Sequence, residues 1–347
     1  NEALKKQDFL EPQAIFEVPT RETFMKAVFR TYDPEQDFLR IRDFLIDTFA
    51  LYQRPFNWAI DRWEFVRYFA LPCHSYHNMR YFGVPTRSDC LFRDELPFWE
   101  KTIGIWENEE GNIVGVVNSE NEEPGDAWIQ IHPDYTFLYD DMITYIEAHL
   151  ADRVDNTGYV KLYIYEDSDL EETARARGYR KLEDGETVRE YIIEELPAPQ
   201  LPEGFMIRSV ADEDDVDKRR IAYSLAFGAN YCPSNWEPAT VFEEMQKAPS
   251  YRRDLDLFVV APSGEYASVC TIWVDEKNRY GNFEPVGTHV EYQRKGLGRA
   301  LLTEGFRRMA AYGVTRSFMN SGNEFYQKVG FQETSYSYYP WIKYFPV

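Results

Sequence analysis

"FEPVGTHVEYQRKGLGRALL", residues 283–302, reads as a buried strand, a short basic turn with two glycines, and the start of a helix. On the helix that follows, Leu297, Leu301, Leu302, Gly305 and Met309 fall on one arc, the face that would meet a sheet. The turn therefore lies where free backbone N–H groups and the positive end of the helix dipole point outward together. Such a site suits a phosphate or pyrophosphate, and glycines let the backbone come close enough to touch it. Local charge agrees. Between Tyr292 and Arg316 six cations stand against Glu304 alone, a balance of +5 in a chain of net charge −21. No Gly-Lys-Ser/Thr follows, so the loop is not a nucleotide P-loop. A dinucleotide fingerprint would want a third glycine near position 301, which is leucine.

At 347 residues the chain is long enough for two domains of ordinary size. Hydrophobic residues make up 44% and aromatics 16%, ample for packed cores, which excludes a disordered acidic chain. Apolar runs such as Leu257 to Ala261 are strand-length, so no membrane partner is expected, and "NEALKKQDFL" has no secretory h-region. Cys73, Cys90, Cys232 and Cys270 show no Cys-x-x-Cys pair, which suits a reducing cytoplasm. Cys73, His74 and His77 cluster in "LPCHSYHNMR" without a partner motif, so no metal site is expected. The acidic balance argues against nucleic acid and is compatible with a cationic small molecule or peptide.

The proline-rich segment "EELPAPQLPEG" (194–204) separates two regions whose landmarks recur in one order. "RPFNW" (54–58) matches "CPSNW" (232–236), and "IHPDY" (131–135) matches "THVEY" (288–292). "RARGY" (175–179) matches "QKVGF" (327–331). The reading is a duplicated α/β (α+β) domain with a central mixed sheet flanked by helices: residues 1–195, a linker at 196–204, and residues 205–347.

Over roughly residues 205–335 the sequence resembles the GNAT superfamily of acetyl-CoA-dependent N-acetyltransferases. The resemblance rests on Gln293-Arg294-Lys295-Gly296-Leu297-Gly298, on the strand "EPVGTHVEY" and on "NEFYQKVGF" (323–331). Val290 stands where many relatives have proline. The resemblance implies that Gln293, Arg294, Lys295, Gly296, Leu297, Gly298 and Arg299 hold the CoA pyrophosphate. It also implies that Val286, Gly287 and Thr288 offer backbone groups to pantetheine, with Asn323 or Asn320 beside it.

Acyl transfer to an amine requires a base, because an alkyl ammonium is neutral in only roughly one copy in a few thousand at pH 7. The departing thiolate benefits from a proton donor. Tyr326 matches the family's usual general acid. Glu284 is the candidate base, although some relatives place it at the position of Asn282; the carboxylate of Val347 is a third possibility. Tyr231, Trp236, Trp273 and the tail "YSYYPWIKYF" are candidate acceptor walls.

The first half carries "TFLYDDM" where the second has "QRKGLGR": Tyr139 faces Gly296 and Asp141 faces Gly298. Ala174 stands opposite Tyr326, and Ala127 opposite Glu284. The first half thus reads as a degenerate GNAT-like domain that buttresses the second and walls part of the acceptor site, similar to the arrangement in mycothiol synthase. The expectation is an N-acetyltransferase active in its C-terminal half on a primary amine of a small molecule or peptide. A non-catalytic CoA- or acyl-CoA-binding sensor or assembly protein is the alternative.

Overall fold

The structure, a computed structural model, describes residues 25–71, 95–120, 125–154, 156–166, 168–229 and 236–346. Cys73, His74, His77, Cys90, Tyr231, Cys232 and Val347 lie outside them.

In the first half, β1 (Ala27–Thr31) leads to α1 (Asp37–Tyr52), α2 (Ile60–Phe65) and α3 (Glu95–Thr102). An antiparallel run follows: β2 (Gly104–Asn108), β3 (Ile113–Asn118) and β4 (Asp126–Ile131). Then come α4 (Tyr139–His149), β5 (Asp152–Val154), β6 (Thr157–Tyr165), α5 (Asp169–Ala176), β7 (Arg180–Lys181) and β8 (Glu186–Ile192). The second half repeats the order. It runs β9 (Met206–Ser209), α6 (Val216–Ala226), α7 (Ala239–Met245), β10 (Asp256–Val260), β11 (Tyr266–Asp275) and β12 (Tyr280–Thr288). It closes with α8 (Leu297–Ala311), β13 (Arg316–Met319), α9 (Glu324–Val329) and β14 (Gln332–Pro346).

The repeat extends to individual hydrogen bonds. His132 N–H donates to the Val114 carbonyl at 2.9 Å, and His289 N–H to Ala267 at 3.0 Å. Each histidine Nδ1 then accepts the amide two residues on, from Asp134 and from Glu291. Tyr179 N–H donates to the Ala174 carbonyl at 3.0 Å, as Phe331 N–H does to Tyr326. The pairings "IHPDY"/"THVEY" and "RARGY"/"QKVGF" are therefore structural equivalences.

One sheet runs through both halves in the order β1-β2-β3-β4-β6-β14-β8-β13-β12-β11-β10-β9. The halves exchange their last strands. β8 pairs antiparallel with β13 of the second half, with Ile192 opposite Arg316. The outer part of β14 pairs antiparallel with β6 of the first half, from Tyr338 opposite Tyr165 to Pro346 opposite Thr157. Trp341, 2% exposed, is buried in the first half's core with Leu162, Ile164 and Tyr179. Side chains of that size stabilise by roughly 1.5–3 kcal/mol each on burial.

Polar contacts also join the halves. Arg42 of α1 pairs with Glu64 of α2 at 2.6 Å, and Glu64 accepts the amide of Ser250 at 2.7 Å. Tyr280 of β12 stacks on Phe49 of α1, ring centroids 4.4 Å apart. These contacts fix α2 against β12, which is what builds the site.

Candidate active site

β12 keeps its antiparallel pairing to β11 as far as Thr288, opposite Ser268. On its other edge it is in register with β13 only at Tyr280 and Arg316, and beyond that pair the two parallel strands part. Asn282 staples the fork: its Oδ1 accepts the Phe318 amide at 2.9 Å. The β11–β12 register shifts between Cys270 and Ile272, with Val286 and Phe283 opposite them, so Glu284 sits in a one-residue bulge. A bulge bends a strand and re-aims a side chain.

A cavity of about 360 Å³ occupies the fork, and Glu284, Val286, Asn320 and Tyr326 line it. Burial, with the Glu284 carboxylate nearby, pushes the Tyr326 phenol above its ordinary range and keeps it protonated. Asn320 faces the cavity, whereas Asn323 caps α9, its Oδ1 accepting the Phe325 amide at 2.9 Å. The Gly287 carbonyl accepts the Ser268 hydroxyl at 2.8 Å, and the Thr288 carbonyl accepts Gln293 Nε2 at 3.3 Å. Trp273 is 1% exposed and donates to the Glu284 carbonyl at 2.7 Å, so it supports the bulge.

The loop before α8 has the backbone of an anion cradle. Arg294 (φ 60°) and Gly296 (φ 81°) are left-handed, which curls successive N–H groups toward one concavity. A Cβ at position 298 would sit 3.2 Å from Phe325 Cζ and 3.4 Å from Thr288 Oγ1, so glycine keeps the floor open. Leu297, 1% exposed, anchors the loop in the second half's core. Among the described residues neither Arg294 nor Arg299 forms an ion pair, while Lys295 donates to the Glu291 carbonyl at 3.1 Å. These residues fit a pyrophosphate: first-turn amides, left-handed backbone and two unpaired guanidinium groups.

Among the described residues of the first half, the corresponding places are filled. Tyr139 is 3% exposed and packed in that half's core, and Asp140 pairs with Arg177 at 2.9 Å. Across the parting of β4 and β6, Trp128 lies flat on Tyr163 at 4.7 Å.

Sequence reasoning gave the first half part of the acceptor wall but singled out none of its residues. Asp61 and Arg62 of α2, Glu120 and Glu186 all line the cavity, with Trp58 among the walls; Tyr338, of the tail named as a candidate acceptor wall, lines it too. The Asn282 amide donates to both Asp61 oxygens, at 3.0 and 3.1 Å. Burial pushes Asp61 up to about 6, against the lowering effect of that hydrogen bond. Arg62 is paired with Glu120 and lies over the Trp58 and Trp128 rings at 5.0 and 4.4 Å. The Tyr338 hydroxyl donates to Glu186. Nothing local in "NWAIDRW" marks these residues, because the partner of Asp61 lies 221 positions on and that of Arg62 lies 58.

Comparison with known proteins agrees with this geometry. The profile of the acetyltransferase (GNAT) domain matches residues 253–333, which span β12, the glycine loop, α8 and α9. A GCN5-related N-acetyltransferase from Sphaerobacter thermophilus is 17% identical, with 92% of this chain and 96% of that one covered and a TM-score of 0.54. A tandem GNAT protein from the clavulanic acid biosynthesis pathway is 12% identical, covering 92% and 98%, with a TM-score of 0.56. A GNAT-family acetyltransferase from Colwellia psychrerythraea is also 12% identical, covering 91% and 99%, with a TM-score of 0.51. Among curated proteins no match is found. The mixed α/β fold is thus shared with GNAT proteins over nearly the whole length of the chain. Residues 253–333 belong to the acetyltransferase (GNAT) domain family, whose members use acetyl-CoA to acylate amines.

Proposed function

We propose that the chain transfers an acetyl group from acetyl-CoA to the primary amine of a small cationic acceptor, with the chemistry in the unit 205–347. One observation carries the reading: the fork between β12 and β13 brings Glu284 and Tyr326 to one cavity, beside the loop in which Arg294 and Gly296 are left-handed. In this reading the amides of residues 293–299 clasp the pyrophosphate, with Arg294 and Arg299 adding charge. Pantetheine runs along Val286 to Thr288, and its thioester reaches the cavity. Glu284 takes a proton from the attacking nitrogen, and Tyr326, held neutral, gives one to the departing sulfur.

The cavity's charge defines the acceptor class. Among the described lining residues Asp61, Glu120, Glu186 and Glu284 stand against one cation, Arg62, which Glu120 already pairs. An ammonium gains from that excess, and an acceptor bearing a carboxylate near its amine is repelled. The volume of about 360 Å³ suits a small amine or the end of a longer one. The first half, residues 1–195, binds no acyl-CoA and walls the acceptor site.

The test is incubation with acetyl-CoA and a panel of primary amines, following free thiol and acetylated product together. The proposal expects both to rise in equal amounts for cationic amines. A CoA-binding sensor releases no thiol at any protein concentration.

A further inference from the structure

We infer that Asp61, supplied by the N-terminal half, receives the proton that the acceptor ammonium must lose before it attacks, which makes that half a catalytic partner of the other. The inference rests on the transferase reading above. An ammonium nitrogen has no lone pair, and alkyl amines are almost wholly protonated near neutrality. A carboxylate beside the reacting centre is therefore needed besides the group that handles the attack itself. Asp61 satisfies the geometry. It stands in the first turn of α2, is 8% exposed, and lines the same cavity as Glu284 and Tyr326. Asn282, two residues before Glu284 on β12, grips both of its oxygens while its own carbonyl oxygen accepts from β13. The carboxylate is thus tied to the strand that presents the thioester.

The groups around it leave this role open. On its own helix, Arg62 is paired with Glu120, and Glu64 with Arg42 of α1. From β12, Tyr280 is buried and its hydroxyl accepts the Ile60 amide at 3.3 Å, and Glu284 stands across the cavity. From β11, Asp275 is taken by Asn278. With its proton affinity set near pH 6 by burial, Asp61 is anionic at neutral pH and passes its proton on to water.

The step balances. An ammonium N–H bond breaks, its electron pair stays on nitrogen, and the proton goes to an Asp61 oxygen. The neutral amine then forms the C–N bond at the thioester carbonyl, and collapse of the adduct breaks the C–S bond. Glu284 takes the second N–H proton, Tyr326 protonates the sulfur, and the Glu284 proton restores Tyr326. One proton leaves through Asp61.

The test uses the whole chain as wild type, Asp61→Asn and Glu284→Gln. The acceptor probes are butylamine and 2,2,2-trifluoroethylamine, the second already largely neutral near pH 7. The expected result for Asp61→Asn is a loss of about 100-fold or more in kcat/KM for butylamine near pH 7. That deficit should shrink toward about pH 10, where butylamine loses its own proton, and should nearly vanish with trifluoroethylamine. Glu284→Gln should be slow with both amines. An Asp61→Asn variant equal to wild type with butylamine at every pH overturns the inference, and so does an equal loss with both amines. A wild type that binds acetyl-CoA yet acetylates neither probe sinks the transferase reading itself, a different pattern because the variant is then not distinguished. Acetyl-CoA affinity and melting temperature report folding. Should Asp61→Asn fail there, Asn282→Ala, which unties the carboxylate, must show the same acceptor-dependent deficit.

Discussion

Burial acts in the same sense on two acids, Tyr326 and Asp61, raising the proton affinity of each, with different consequences. For Tyr326 it keeps the phenol protonated, the state a proton donor needs. Tyr326→Phe should therefore lower kcat by about 100-fold or more with little change in the KM for acetyl-CoA, as steady-state kinetics with one fixed amine will show. For Asp61 burial costs stability. The folded carboxyl titrates near 6 against an ordinary value of 3.8, so the folded state holds the proton more tightly than the unfolded chain. The penalty is small below about pH 4, grows between about pH 4 and 6, and levels off at roughly 3 kcal/mol above that. Asp61→Asn, which keeps an acceptor for Asn282, should melt at a higher temperature than wild type near pH 8 and at the same temperature near pH 4. A variant less stable than wild type at both would contradict the burial account.

At the scale of elements, β14 is the most exposed to test. Its first part serves the second half, and its last residues complete the first half's core through Trp341. Trp341→Ala should cost about 3–5 kcal/mol, the range for deleting a large buried ring. Hydrogen exchange should rise first along β6 and only later in α8, although Trp341 lies closer in sequence to α8. The sequence made α8 and its loop legible, because Leu297, Leu301 and Met309 recur at helical spacing and two glycines mark the turn. It also exposed the repeat, since His132 and His289 are fixed by bonds within a few residues of themselves and one neighbouring strand. The strand exchange left no such trace: Tyr338 opposite Tyr165 is a pairing across the whole second half, and either edge would accept the same alternating pattern. The Asp61–Asn282 contact spans 221 positions and leaves no local periodicity. The fork's chemistry was therefore half legible: its second-half wall came from motif, and its first-half wall was expected without any of the residues that form it.

For the whole molecule, exchange of the last strands means that neither half is complete alone. Fragments 1–195 and 196–347 should each fail to give a cooperative melt, and together they should assemble one to one; a fragment that melts cooperatively by itself would count against the exchange. The duplication also left two loops in equivalent places, one with glycines and cations, the other with Tyr139, Asp140 and Asp141. In the proposed function the first binds acyl-CoA and the second does not. Calorimetric titration of acetyl-CoA into the intact chain tests it most directly, beside the double variant Gly296→Asp, Gly298→Asp. The account predicts one site per chain, abolished in the double variant while its melting temperature shows it folded. Two sites, or a single site that survives the double substitution, would contradict it.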